Sequence, residues 1–178
     1  MELSNSHSLP VSQDQAWQAL NDTAVLREAI PGCEAITGIG DNEYEVLVTA
    51  AVGPVKAKFK GKLRLADLQP PTSYSLQFEG QGGVAGHAKG SATVRLEPQG
   101  ARTTLLHYSA KASVGGKLAQ VGSRVIDMAA QKLAGEFFER FTAALAQKHG
   151  AAAPPAAPAA VPGLLARLRA WLRRLFGA

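Results

Sequence analysis

The sequence predicts an α+β fold in which a curved antiparallel sheet wraps around one long C-terminal helix, with two short helices after the first strand. Three observations predict it. From Cys33 to about Val114 apolar residues alternate with a period of two through five or six runs, the pattern of an antiparallel meander. From Gly115 to Gln147 the period becomes helical and stays so for longer than anywhere else in the chain. Two short helical patterns stand between the first strand and the meander.

Residues 2–9 alternate around Leu3 and Leu9 and are ended by Pro10. Ser12 with Gln15 three residues on is the signature of a capping box, opening a helix that carries Ala16, Trp17 and Leu20 on one side. A second helix, Thr23 to Ile30, is stopped by Pro31-Gly32.

In the meander, Tyr44, Val46, Val48, Ala50 and Val52 share a face. Gly53-Pro54 makes a two-residue turn. Beyond it Val55, Ala57, Phe59, Gly61, Leu63 and Leu65 face one way, and Lys56, Lys58, Lys60, Lys62 and Arg64 the other. The turn predicts a register: Val52 opposite Val55, Glu45 opposite Lys62 and Glu43 opposite Arg64. Lys56, Lys58 and Lys60 then face uncharged Ala51, Thr49 and Leu47. This row reads as a solvated face that discourages aggregation; the competing reading is a docking patch for an acidic partner or anionic lipid.

Tyr74, Leu76 and Phe78 alternate in the next strand, which runs into EGQGGVAGHAKGSA. That stretch matches neither a Walker pattern nor GxGxxG entering a helix, which argues against a phosphate cradle. It reads as a bulged hairpin using positive φ, with a flexible mouth over a pocket as the alternative. Ala88, Gly90, Ala92, Val94 and Leu96, then Leu106, Tyr108, Ala110 and Ala112, continue the inner face.

On the long helix Val121, Val125, Ala129, Leu133, Phe137, Phe141 and Leu145 form an i, i+4 row, widened by Leu118, Ile126, Met128 and Phe138. Gly122 and Gly135 within it each cost roughly 1 kcal/mol of helix propensity relative to alanine. Strand backbone or a ligand is therefore expected to come close. Small residues on both sheet and helix mean tight contact or an apolar cavity. The expected tunnel has walls from Phe78, Ala92, Tyr108, Leu118, Val121, Gly122, Val125 and Met128, with Val84 and His87 near its mouth.

The domain is expected to span 1–149. Residues 150–162 form a proline- and alanine-rich linker of extended habit. In 163–178, Leu164, Leu165, Leu168, Trp171, Leu172, Leu175 and Phe176 fall within an arc of about 140° at helical spacing, flanked by Arg167, Arg173 and Arg174. At ~1.5 Å per residue the segment is too short for the ~30 Å hydrocarbon core. It reads as a helix lying in an anionic membrane interface, or docking on a partner protein.

The formal charge is +5; four arginines and no acid follow His149, leaving +1 for residues 1–149. Cys33 is the only cysteine, so an intramolecular disulfide and a cysteine-based zinc site are excluded. The start lacks a basic, apolar leader pattern, and the expected location is cytoplasmic. His7, His87, His107 and His149 have no metal-ligand spacing, and no GxSxG elbow occurs. Glu79 and Glu97 read as solvated strand residues. Neither a metal nor a catalytic residue is expected, nor a nucleic-acid partner.

Four stretches, ALNDTAVLREAIPGCE, VGPVKAKFKGKLRL, EGQGGVAGHAKGSATVRL and GGKLAQVGSRVIDMAAQKLAGEFFERF, resemble the carbon monoxide dehydrogenase G-subunit family over roughly residues 1–147. The element order is similar to the helix-grip fold of START-like and polyketide-cyclase-like domains. His87 departs from the aromatic or apolar residue expected there, which implies a more polar pocket mouth or another head group. The resemblance implies a non-enzymatic accessory to a carbon monoxide dehydrogenase-type molybdenum hydroxylase. It implies a respiratory quinone, menaquinone or ubiquinone, held without a covalent bond in the helix-grip cavity, and peripheral attachment to the inner face of the cell membrane. The rivals are a ligand-free assembly or docking factor and a cyclase- or hydratase-type enzyme.

Overall fold

The computed structural model describes residues 1–150. The amphipathic segment 163–178, and the linker after Gly150, lie outside the described residues.

The chain runs β1 (Glu2–Leu9), α1 (Gln13–Leu20), α2 (Thr23–Ala29), β2 (Cys33–Gly40), β3 (Glu43–Val52), β4 (Val55–Gln69), β5 (Ser73–Gln81), β6 (His87–Gly100), β7 (Thr103–Gly115), α3 (Lys117–Gln120) and α4 (Ser123–His149). The strands form one antiparallel sheet in the order β1-β7-β6-β5-β4-β3-β2. The first strand pairs with the last, His7 lying opposite Leu106.

Local chemistry sets these boundaries. Ser12 and Gln15 form the reciprocal capping box, Gln15 N donating to Ser12 Oγ at 3.3 Å and Ser12 N to Gln15 Oε1 at 3.1 Å. The Gly53-Pro54 turn imposes the register its two-residue length requires, with Val52 opposite Val55 and Glu43 opposite Arg64. Of the three lysines facing uncharged partners, Lys58 reaches Glu34 of β2 at 2.8 Å, and Lys60 reaches Glu45 diagonally at 3.1 Å. Both pairs are exposed and worth at most about 1 kcal/mol each.

The core gathers at one end, where α1, α2 and the last turns of α4 meet β1, β6 and β7. Leu9, Leu96, Leu106, Phe141 and Leu145 are fully buried there. The other half of α4 is only half covered, and its tip rests against the β3–β4 turn through Val125, next to Gly53. Held at both ends, α4 bridges the concave face.

The helix does not run unbroken from Gly115. Gly122 interrupts it at φ +92°, between α3 and α4. Val121 and Val125 keep their four-residue spacing across the break, so the sequence period is blind to it. Nor do the glycines mark a close approach: a Cβ at Gly122 or Gly135 would meet nothing within 4 Å. The glycine-rich loop is likewise folded down. Gly83–Ala85 form one 3₁₀ turn, Ala85 is buried, and Gly86 at φ +111° packs against the Gly115 backbone.

Candidate functional site: an apolar cavity beneath the long helix

Between the concave face and α4 lies a cavity of about 430 Å³. Its existence follows from side-chain size along one row of the sheet. Val46, Gly61, Gly80 and Ala88 are register partners across β3 to β6, a row in which nothing exceeds valine. Larger residues surround that row: Tyr44, Leu63 and Phe78 on one side, with Leu65, Tyr74, Leu76, Val94, Leu106 and Tyr108 further toward the core. Phe137 and Phe138 of α4 form the opposite wall, and Leu20, Asn21, Thr23, Leu26 and Ile30 close the flank from α1 and α2.

The helix wall is fixed by stacking. Phe138 stacks on His7 with ring centroids 3.9 Å apart and on Tyr108 at 5.2 Å, while Phe137 stacks on Phe141 at 5.5 Å. Burial holds the His7 imidazole below its ordinary pKa, favouring the neutral ring in that stack. Lys62 and Glu79 flank Gly61 and Gly80 and are exposed, because strand alternation sends their side chains to the outer face.

All three tyrosines of the chain, Tyr44, Tyr74 and Tyr108, line this cavity. Burial raises the pKa of Tyr74 strongly and that of Tyr108 less, so both phenols stay protonated donors. The wall is therefore hydrocarbon with a few neutral hydroxyls, suited to an apolar molecule that carries few polar atoms.

Of the residues the sequence singled out, Phe78, Ala92 and Tyr108 come together here. Leu118, Val121, Gly122, Val125 and Met128 do not line the cavity, because the helix breaks at Gly122 and the space opens further along, at Phe137 and Phe138. Leu118 is buried beside the Gly83–Ala85 turn, and Met128 is 63% exposed. Val84 is 86% exposed, and His87 lies on the outer face with its ring against Gly115. Sequence reasoning missed Tyr44 and Tyr74 as polar groups although their alternation with inward Val46 and Leu76 carried the signal. It also missed α2 and the residue that ends it: Leu26 and Ile30 gave no sign that they would face a space.

A larger groove of about 820 Å³ runs along the outer face. Arg64 pairs with Glu43 at 3.5 Å and Lys111 with Glu2 at 3.3 Å, exposed Lys62, Glu79 and Lys89 add further charge, and the groove offers no apolar wall comparable to the inner one. Among the described residues no group of three His, Cys, Asp or Glu is placed to hold a metal. Burial pushes the Cys33 thiol up, away from thiolate reactivity. No described helix is long and apolar enough to cross a membrane.

The family model for the carbon monoxide dehydrogenase G-subunit, CoxG, matches residues 6–146. Among curated proteins none matches. Among solved structures, a conserved protein from Geobacillus kaustophilus is similar at 28% identity and TM-score 0.79, covering 83% of this chain and 97% of its own. A START superfamily protein from Mycobacterium smegmatis is similar at 16% identity and TM-score 0.57, covering 83% and 95%. The ZhuI aromatase/cyclase from Streptomyces sp. R1128 is similar at 12% identity and TM-score 0.63, covering 83% and 94%. The last two likenesses are of fold alone.

Proposed function

The chain belongs to the CoxG family of carbon monoxide dehydrogenase subunits, and from that premise we propose that it is a non-catalytic accessory protein that holds a respiratory quinone, menaquinone or ubiquinone, in the cavity beneath α4. In this reading it couples a carbon monoxide dehydrogenase-type molybdenum hydroxylase to the quinone pool at the inner face of the cell membrane, to which the segment 163–178 binds.

The observation that carries the reading is the cavity itself. Apolar surface removed from water contributes about 25 cal/mol per Å², so hydrocarbon walls bind without a covalent bond or a metal. About 430 Å³ has room for roughly 14 water-sized groups at ~30 Å³ each. That suits a head ring with the first isoprene units, the rest of a long tail leaving past the half-exposed Leu26, Ile30 and Ile36. Protonated phenols that hydrogen-bond to no base among the described residues, His7 lying stacked at 6.1 Å from Tyr108, favour binding over acid–base chemistry.

The test is mass spectrometry of organic extracts from gently purified full-length protein, beside the Ala92→Phe variant. Wild-type protein is expected to carry an isoprenoid quinone or to take one up when offered. Ala92→Phe, which fills the cavity from β6, is expected to retain several-fold less while still folding. Wild-type protein that neither carries nor takes up a quinone would sink the carrier reading in favour of a ligand-free docking factor.

A further inference from the structure

Two buried hydroxyls in this protein meet opposite fates. Thr104, fully buried, donates to Val11 O at 2.9 Å and so ties β7 to the segment before α1. Tyr74 is only 7% exposed, yet its hydroxyl finds no partner among the described residues. Its neighbours Ser73 and Ser75 bond to Gln69 and Asp67 on the outer side of the strand. No side-chain oxygen or nitrogen among the described residues is both sealed and unsatisfied. The Tyr74 hydroxyl must therefore open onto free space, and the inner space it lines is the cavity.

The ring is not free to seek a partner elsewhere. Trp17 of α1 meets it edge-on, centroids 5.6 Å apart at 84°, and Val94 lies opposite it on β6. Tyr44 and Tyr108 are only half buried and can be hydrated. Tyr74 is the phenol held deepest, braced by Trp17 and without a protein partner among the described residues.

We propose that Tyr74 selects the ligand's head group by donating a hydrogen bond to a neutral oxygen acceptor of the carbonyl class on an otherwise apolar molecule. A pure hydrocarbon leaves the hydroxyl buried without a partner, which is costly. A carboxylate would enter a wall that offers phenols but no inward-facing cation to offset its desolvation. The proposal rests on the carrier reading and adds to it which residue reads the ligand and by which atom.

The experiment uses full-length, delipidated protein and two probes of nearly equal shape, 2,3-dimethyl-1,4-naphthoquinone and 2,3-dimethylnaphthalene. Both ring positions beside the carbonyls are blocked, so the Cys33 thiol does not add to the quinone. Calorimetric titration is expected to show wild-type protein favouring the quinone about tenfold. Tyr74→Phe is expected to bring the two probes to near-equal affinity, while Tyr108→Phe keeps the preference. In wild-type protein the bound quinone's carbonyl stretch is expected at lower frequency than in hydrocarbon solvent, a readout that needs no variant. An unchanged preference in folded Tyr74→Phe, or an unshifted carbonyl stretch, overturns this proposal and leaves the carrier reading standing. Failure of both probes to bind wild-type protein overturns the carrier reading and this proposal with it.

Discussion

Asp22 uses its two carboxylate oxygens for different tasks. Oδ1 caps α2 by accepting from Ala24 N at 2.9 Å and Val25 N at 3.4 Å, while Oδ2 accepts from Lys148 Nζ at 2.8 Å. The Lys148 hydrogen bond is the largest influence holding its pKa below the ordinary value. Since the folded-state pKa is depressed, the carboxylate's contribution is present above the unfolded value near 4 and is lost as pH falls through the folded one. Asp22→Ala should cost about 1–2 kcal/mol at neutral pH, most of it from the lost cap. Lys148→Ala should cost less than about 1 kcal/mol, since the ion pair is partly solvated. Urea unfolding at pH 7 and pH 3 checks both: the advantage of wild type over Asp22→Asn should shrink at the acid end. An Asp22→Asn difference that does not change with pH would assign the whole effect to the cap.

At the scale of elements, what was legible followed from short-range geometry. The β3–β4 register was fixed because two turn residues leave one pairing, and inward residues such as Leu63, Phe78 and Tyr108 followed by alternation. The break at Gly122 was not legible, because a helical period counts spacing and carries no information on φ. Gly135 misled for a related reason: a missing side chain looks the same whether it admits a neighbour or faces open space. The two glycines separate once their backbone angles are known. Gly122 sits at φ +92°, where any Cβ is strained, so Gly122→Ala should destabilise by about 1–3 kcal/mol despite the room around it. Gly135 is inside α4 with nothing within 4 Å of its Cβ position, so Gly135→Ala should stabilise by about 0.5–1 kcal/mol. Thermal unfolding of the two single variants decides it; equal effects would mean that the helix runs through residue 122 after all.

At the scale of the whole molecule the question is where the cavity faces relative to the basic C-terminal segment. The last described residues are anchored, Arg102 Nη2 donating to the carbonyls of His149 and Gly150 at 3.5 and 3.4 Å. Just before them, Lys148 grips Asp22, whose chain neighbours Asn21 and Thr23 are part of the cavity wall. The chain thus leaves the domain beside the flank formed by α1 and α2, the same flank through which the proposed ligand would pass. If Leu164, Leu168, Trp171, Leu172 and Phe176 lie in an anionic bilayer, each half-buried apolar side chain adds on the order of 1 kcal/mol and each nearby arginine ~1 more. Lys58 and Lys60 compete poorly for that role, since Glu34 and Glu45 already neutralise them. Full-length protein should therefore sediment with anionic liposomes, whereas Trp171→Glu or removal of residues 163–178 should release it. The truncated protein should still unfold cooperatively and still bind the naphthoquinone probe, because no described wall residue lies beyond Phe138. Liposome binding that survives truncation would transfer the membrane contact to the lysine face around Lys56 and Lys62. Binding to purified hydroxylase but not to liposomes would make the segment a partner-docking helix instead.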